Sequence, residues 1–229
     1  MSHSELKQAT WEANMERHHR GLVLYTWGNV SQIDRAAGVF AIKPSGVPYE
    51  KLTPDDIVVV DLENNVIEGK LNPSSDTRTH THWYKNFEKI GGVTHPHSTY
   101  ATAWAQAQQP IPCFGTTHAD DAYGEIPCTA IMSNEQIERD YEEETGVQIT
   151  DVFADRSPRE TPMVIVAGHA PFTWGKDAAE SVYHAVVLEE LASIAYMTIA
   201  IDPARCALKQ EIVDKHYLLI HCKGAYYGQ

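Results

Sequence analysis

The sequence predicts an α/β fold, one layered domain in which helices flank a single sheet. Three observations carry this. Segments with helical spacing of apolar residues alternate with short β-branched runs along the chain. The chain has 229 residues, a length that one hydrophobic core can serve. No repeat, low-complexity tract or Gly/Ser/Pro-rich linker divides it, so residues 1–229 are expected to form a single domain.

The elements follow in order. Residues 4–19 place Leu6, Ala9, Ala13 and Met15 at near-helical spacing and break at Gly21, the pattern of a helix closed by glycine. Trp27 opens an extended region, and residues 39–42 and 57–62 are short β-branched strands. Between them Thr53-Pro54-Asp55-Asp56 has the cap-then-proline grammar of a brief helical turn. Asn64-Asn65 marks a tight turn into a strand at Val66-Ile67. Residues 75–87 have helical spacing with Ser74 or Ser75 as cap, and residues 91–95 lead through a short strand into a helix over 98–106. Residues 163–167 form an apolar strand, and 177–200 and 203–220 are the two longest helical patterns, with acidic and proline starts.

Composition bounds the function. A hydrophobic share of 43% and a charged share of 21% fit a soluble globular protein, without a run of roughly 18 apolar residues that a membrane span needs. Residues 1–8 lack the charged-then-apolar pattern of a signal peptide. Cys113, Cys128, Cys206 and Cys222 form no CxxC pair, so free thiols in a reducing cytoplasm are expected. A formal charge of −13, with no Lys/Arg stripe, argues against nucleic acid as partner. The same charge requires that any anionic substrate have a local pocket of donors.

Twelve histidines invite a search for a metal site. His95-Pro96-His97 ends an apolar strand, and His169 follows the strand over 163–167. On extended backbone the side chains of an HxH pair project to one side, so two imidazoles can reach one ion. A third histidine from another strand end would complete a three-nitrogen site with an open position, as in catalytic zinc. His3, His18, His19, His80 and His82 fit ordinary helix and terminus positions.

Donors for an anion cluster elsewhere. Pro73-Ser74-Ser75-Asp76 precedes a helix, and upstream lie Lys43-Pro44-Ser45-Gly46 and Trp27-Gly28-Asn29. Each alone also reads as ordinary capping or turn sequence. Thr116-Thr117-His118-Ala119-Asp120 and the acidic stretch around Glu142 add carboxylates, although the acidic stretch by itself fits a solvated helix face.

Taken together, residues 26–31 (TWGNVS), 42–46 (IKPSG), 72–76 (NPSSD), 95–98 (HPHS), 115–120 (GTTHAD), 142–146 (EEETG), 169–172 (HAPF), 215–217 (KHY) and 225–229 (AYYGQ) resemble the class II aldolase and epimerase family over essentially the whole chain. The resemblance is closer to its epimerases, since Asp76 stands where the family's aldolases usually carry a glutamate. It implies a three-layer sandwich with a central, largely antiparallel sheet. It implies Zn2+ held by His95, His97 and His169 with Asp76 beside it, with Mn2+ or Co2+ able to substitute.

The resemblance further implies a phosphate pocket from Asn29, Lys43, Ser45, Gly46, Ser74 and Ser75. Acid–base work would fall to Asp120 and Tyr227, the latter reaching a neighbouring subunit of a homotetramer, with Thr116, Glu142 and His216 as supporting contacts. The implied reaction inverts C4 of a pentulose phosphate by breaking and re-forming C3–C4. Pro96, Thr99 and Ala170 depart from the usual pattern, the last because a glycine usually follows the third histidine. The alternatives are an aldolase releasing dihydroxyacetone phosphate and a non-catalytic sugar-phosphate or scaffold module.

Overall fold

The computed structural model describes residues 1–221. Its centre is one seven-stranded sheet in the order β4-β3-β2-β1-β5-β7-β6. The strands are β1 (Asn29–Asp34), β2 (Val39–Ile42), β3 (Val58–Asp61), β4 (Val66–Glu68), β5 (Gly92–His95), β6 (Met163–Ile165) and β7 (Pro171–Gly175). Every pair of neighbours is antiparallel. The helices are α1 (His3–His19), α2 (Thr77–Asn86), α3 (Thr99–Ala107), α4 (Thr116–Asp121), α5 (Asn134–Val152), α6 (Ala178–Ile201) and α7 (Gln210–His221).

Alternation along the strands sorts the core into two layers. Phe40, Ile42, Val58, Val60, Val93 and Val164 face α2 and α5, packing on Trp83, Tyr84, Ile149 and Phe153. Val39, Ala41 and Val59 face the other way, toward Leu6 of α1. Met163 and Ile165 on that same side meet Leu188, Leu191 and Ala192 of α6. Because helices cover both faces, β2 (VFAI) and β3 (VVVD) read as near-continuous apolar runs, whereas the central β1 carries buried Asn29, Ser31 and Gln32. The expected three-layer architecture is thus present, with α2 and α5 on one face and α1, α3 and α6 on the other.

Several details differ from the sequence expectation. The helix expected over 203–220 begins only at Gln210. The Leu208 amide donates to the Cys113 carbonyl at 2.7 Å, which holds the preceding segment out of helical geometry. Neither Ser74 nor Ser75 caps α2, whose N-cap is Asp76. At α3 the Glu189 carboxylate of α6 accepts from the Tyr100 and Ala101 amides at 2.8 and 3.0 Å, so a carboxylate from another helix satisfies this N-terminus. α6 is long and apolar enough by length and composition to cross a membrane. One face of it, with Ala178, Val182, Ala185, Leu188 and Ala192, is buried against the domain, while Tyr183, Tyr196, Met197 and Ile201 stand exposed. Cys113, Cys128 and Cys206 are free thiols.

Candidate active site

Three strand ends converge on one corner of the sheet. β5 ends at His95, and the β1–β5 register sets Asn29 opposite it. His95 Nδ1 donates to the Pro171 carbonyl at 2.8 Å, and its ring stacks on Phe172 at 4.1 Å, so the tautomer leaves Nε2 as a lone-pair donor facing outward. His97 Nε2 lies 3.1 Å from that atom. His169 follows β6 after Gly168, whose φ of +71° makes the turn. Ala170 therefore has no need of a positive φ, and the departure from His-Gly-Pro leaves this loop undisturbed.

The ligand atoms of His95, His97 and His169 all lie within 4.8 Å of one another. Asp76 Oδ2 is 3.9 Å from His95 Nε2 and accepts from Asn29 Nδ2 at 2.6 Å. The donor set fits a divalent cation: imidazole nitrogens converge with an acid alongside, and the buried His169 Nδ1 and Asn29 Oδ1 have no hydrogen-bond partner among the described residues. Burial holds His95 well below the usual histidine range and His97 down to about 4, with the neighbouring imidazoles pushing the same way. Both are thus neutral near pH 7, the form that binds metal. Burial raises the Asp76 carboxyl, opposed by His169 and the Asn29 amide.

The same cavity, about 340 Å³, is lined by Asn29, Lys43, Ser45, Gly46, Ser74, Ser75, Asp76 and the three histidines. Main-chain bonds zip its two loops together, Ser45 N to Asn72 O at 3.0 Å and Ser74 N to Lys43 O at 3.1 Å. Asn29 Nδ2 also donates to Ser74 Oγ at 2.9 Å. The serine nominated as a helix cap thus serves the cavity. Lys43 is buried with its ammonium 4.8 Å above the Tyr49 ring. Burial, and next the charge of Arg17, lower it to about 8.

Gly28 is required here: its φ is +63°, and an added Cβ would lie 2.2 Å from the His95 carbonyl oxygen. Gly28→Ala should therefore cost about 2 kcal/mol or more of stability and weaken metal binding by displacing His95. Denaturant melts and a metal titration read this; wild-type values in both would contradict the placement.

The other nominated residues lie apart. Asp120 on α4 pairs with His216 on α7, Oδ1 to Nδ1 at 3.0 Å, and His221 Nε2 meets the Asp120 carbonyl at 2.8 Å. With Thr116, which opens α4, they are outside the lining of the histidine cavity. Glu142 comes closer. Asp140 has non-helical φ −170° and ψ 100°, breaking the α5 run. Arg78 pairs with Asp140 there, and Thr79 Oγ1 donates to the Glu142 carbonyl at 2.6 Å. The break sets the Tyr141 ring 5.9 Å from His169 and brings the Glu142 charge to bear on Asp76 and His169. Tyr227 lies outside the described residues. Sequence reasoning missed Arg17, Tyr49 and Tyr141.

Known proteins share this architecture. The family profile described as Class II Aldolase and Adducin N-terminal domain matches residues 8–196. The chain belongs to the class II aldolase family. Among its class II aldolase relatives is L-ribulose-5-phosphate 4-epimerase UlaF of Salmonella paratyphi B, 48% identical over 225 residues, which covers 98% of this chain and 99% of the relative. In structure the chain is similar to an L-fuculose 1-phosphate aldolase, with a TM-score of 0.79 at 23% identity over 95% of this chain and 98% of the other. L-fuculose 1-phosphate aldolase from Glaciozyma antarctica PI12 follows with a TM-score of 0.76 at 18% identity, over 98% and 84% of the two chains. At these identities the structural likeness shows the class II aldolase fold.

Proposed function

We propose that this chain is an L-ribulose-5-phosphate 4-epimerase, an isomerase interconverting L-ribulose 5-phosphate and D-xylulose 5-phosphate. The observation that carries the reading is the 48% identity, over 98% of the chain, to a relative named for that activity. The site supports it: three neutral imidazoles and an acid adjoin a loop pair bearing a lysine, serines and an amide, the donors a sugar phosphate needs.

In this reading His95, His97 and His169, with Asp76 alongside, hold Zn2+. When bound, the ion supplies Lewis-acid polarisation of the ketose, for which Mn2+ or Co2+ can substitute. Lys43, Asn29, Ser45, Gly46, Ser74 and Ser75 bind the phosphate. Inversion at C4 breaks C3–C4, leaving a three-carbon enediolate and glycolaldehyde phosphate. The aldehyde presents its other face and the bond re-forms. One group takes the C4 hydroxyl proton on cleavage and another returns a proton on the opposite side. We assign these roles to Asp120 and Tyr227, with His216 orienting Asp120 and with Thr116 and Glu142 as further contacts.

Asp120 and His216 lie outside the histidine cavity of their own chain, so they act in the cavity of a neighbouring copy. This fits a homotetramer with shared sites, working in the cytoplasm, where the cysteines stay reduced.

The test is to incubate zinc-loaded protein with L-ribulose 5-phosphate and follow D-xylulose 5-phosphate and free glycolaldehyde phosphate together. Xylulose 5-phosphate with little free aldehyde is expected. Aldehyde as the main product would make the chain an aldolase, and neither product would overturn the reading. Lys43 adds a pH signature. Its ammonium is charged below about 8 and neutral above, so kcat/KM should fall as pH rises through that value, and Lys43→Met should abolish this limb. A limb unchanged in Lys43→Met would remove the lysine from the phosphate pocket.

A further inference from the structure

Arg17, in the last turn of α1, is fully buried. Its Nη1 donates to two main-chain carbonyls, Asn29 at 2.8 Å and His95 at 2.7 Å. Its other terminal nitrogen donates to the Tyr49 hydroxyl, which lies 2.9 and 3.0 Å from the Trp27 and Gly28 carbonyls. One guanidinium thus ties the start of β1 to the end of β5, at the two residues that carry the phosphate-side amide and the first imidazole. Gly28 passes so close that a side chain there would lie 2.8 Å from Arg17 Nη1.

No carboxylate among the described residues lies within salt-bridge distance of Arg17, and its Nε is buried without an acceptor. An uncompensated buried cation costs several kcal/mol in an ordinary core, where a neutral side chain would pack without that cost. Lys43 shares its surroundings: the Arg17 guanidinium lies 5.4 Å and the Lys43 ammonium 4.8 Å from the same Tyr49 ring. In a chain of net charge −13, two buried cations adjoin one small cavity lined by serines, the Asn29 amide, the Asp76 carboxylate and the three histidines. The Asp76 carboxylate at the cavity offsets part of the Arg17 charge, and a dianion entering the cavity adds further compensation.

We propose that Arg17 is a positioning residue of this site, clamping the Asn29 and His95 main chains and supplying a fixed positive charge that recruits the substrate phosphate. The inference rests on the sugar-phosphate reading above. It goes further in giving phosphate affinity to a residue that does not line the cavity.

The test uses Arg17→Gln, which can still donate to one carbonyl but carries no charge, and Arg17→Lys, which keeps the charge and loses the fork. Inorganic phosphate binding is measured by calorimetry on the full-length, metal-loaded protein, beside KM, kcat, metal content and thermal melting. Wild type should bind phosphate, Arg17→Gln about ten-fold more weakly, with KM rising to match. Arg17→Lys should keep phosphate affinity within about three-fold while kcat falls about ten-fold, because the two main chains lose their common clamp.

Wild-type phosphate affinity and KM in Arg17→Gln would overturn the proposal and leave the phosphate pocket standing. Absence of phosphate binding in wild type would instead overturn the pocket. Should Arg17→Gln fail to fold, Arg17→Lys decides: wild-type kcat and KM with only a lowered melting temperature would reduce Arg17 to a support of the fold.

Discussion

Replacing His97 with asparagine is expected to abolish stoichiometric metal binding and to lower epimerisation by about a thousand-fold, the scale on which loss of transition-state charge stabilisation acts. The residue is well suited to the test. His97 lies just beyond the end of β5 and is only part-buried, so its loss removes no core contact. Its Nε2, 3.1 Å from that of His95, is one of three converging donors, and the shorter asparagine cannot place a nitrogen there. Elemental analysis beside turnover and circular dichroism reads all three consequences. An unchanged fold with metal and activity lost is the expected result; retention of both would remove His97 from the metal site.

Asp120→Asn should leave metal content and fold intact while kcat falls by about 10² to 10⁴, the range for losing a general acid–base group. His216, 3.0 Å from the carboxylate, would keep a hydrogen bond to the amide. The location of Asp120 outside its own histidine cavity adds a sharper consequence. If the proposed ring with shared sites forms, mixed, refolded Asp120→Asn and His97→Asn chains should recover about a quarter of wild-type activity, because random pairing joins one intact half-site from each. No recovery in assembled mixtures would place Asp120 in the wrong site.

Much of this site was legible because it depends on short-range grammar. His95 and His169 follow apolar strands whose β-branched residues are plain in sequence, and main-chain geometry aims them. The zipped loops at 43–46 and 72–76 carry Gly, Pro and Ser where turns demand them. The sites of failure have physical reasons. Arg17 stands beside His18, His19 and Arg20, where basic side chains complement a helix C-terminus, so nothing local marks it as the one that turns inward. Asp140, where the helix breaks, pairs with Arg78, 62 positions away along the chain, and no local signal marks the break, so the acidic run reads as continuous helix.

β7 begins with a proline and follows β6 after five residues, too close for a pattern to separate the two. The segment before α7 follows Pro203, a residue that favours a helix start, yet a single tertiary bond to Cys113 overrides that preference. The contribution of Tyr227 rests on the family resemblance and on the tail motif at 225–229.

The most direct test of C3–C4 cleavage is to run the reaction in deuterium oxide and examine C4 of the D-xylulose 5-phosphate formed. Breaking and re-forming the carbon–carbon bond leaves the C4 hydrogen in place, so the product should carry no solvent deuterium at C4. Full deuteration there would mean that C4 is inverted by removing its own proton, and would contradict the mechanism argued for this site.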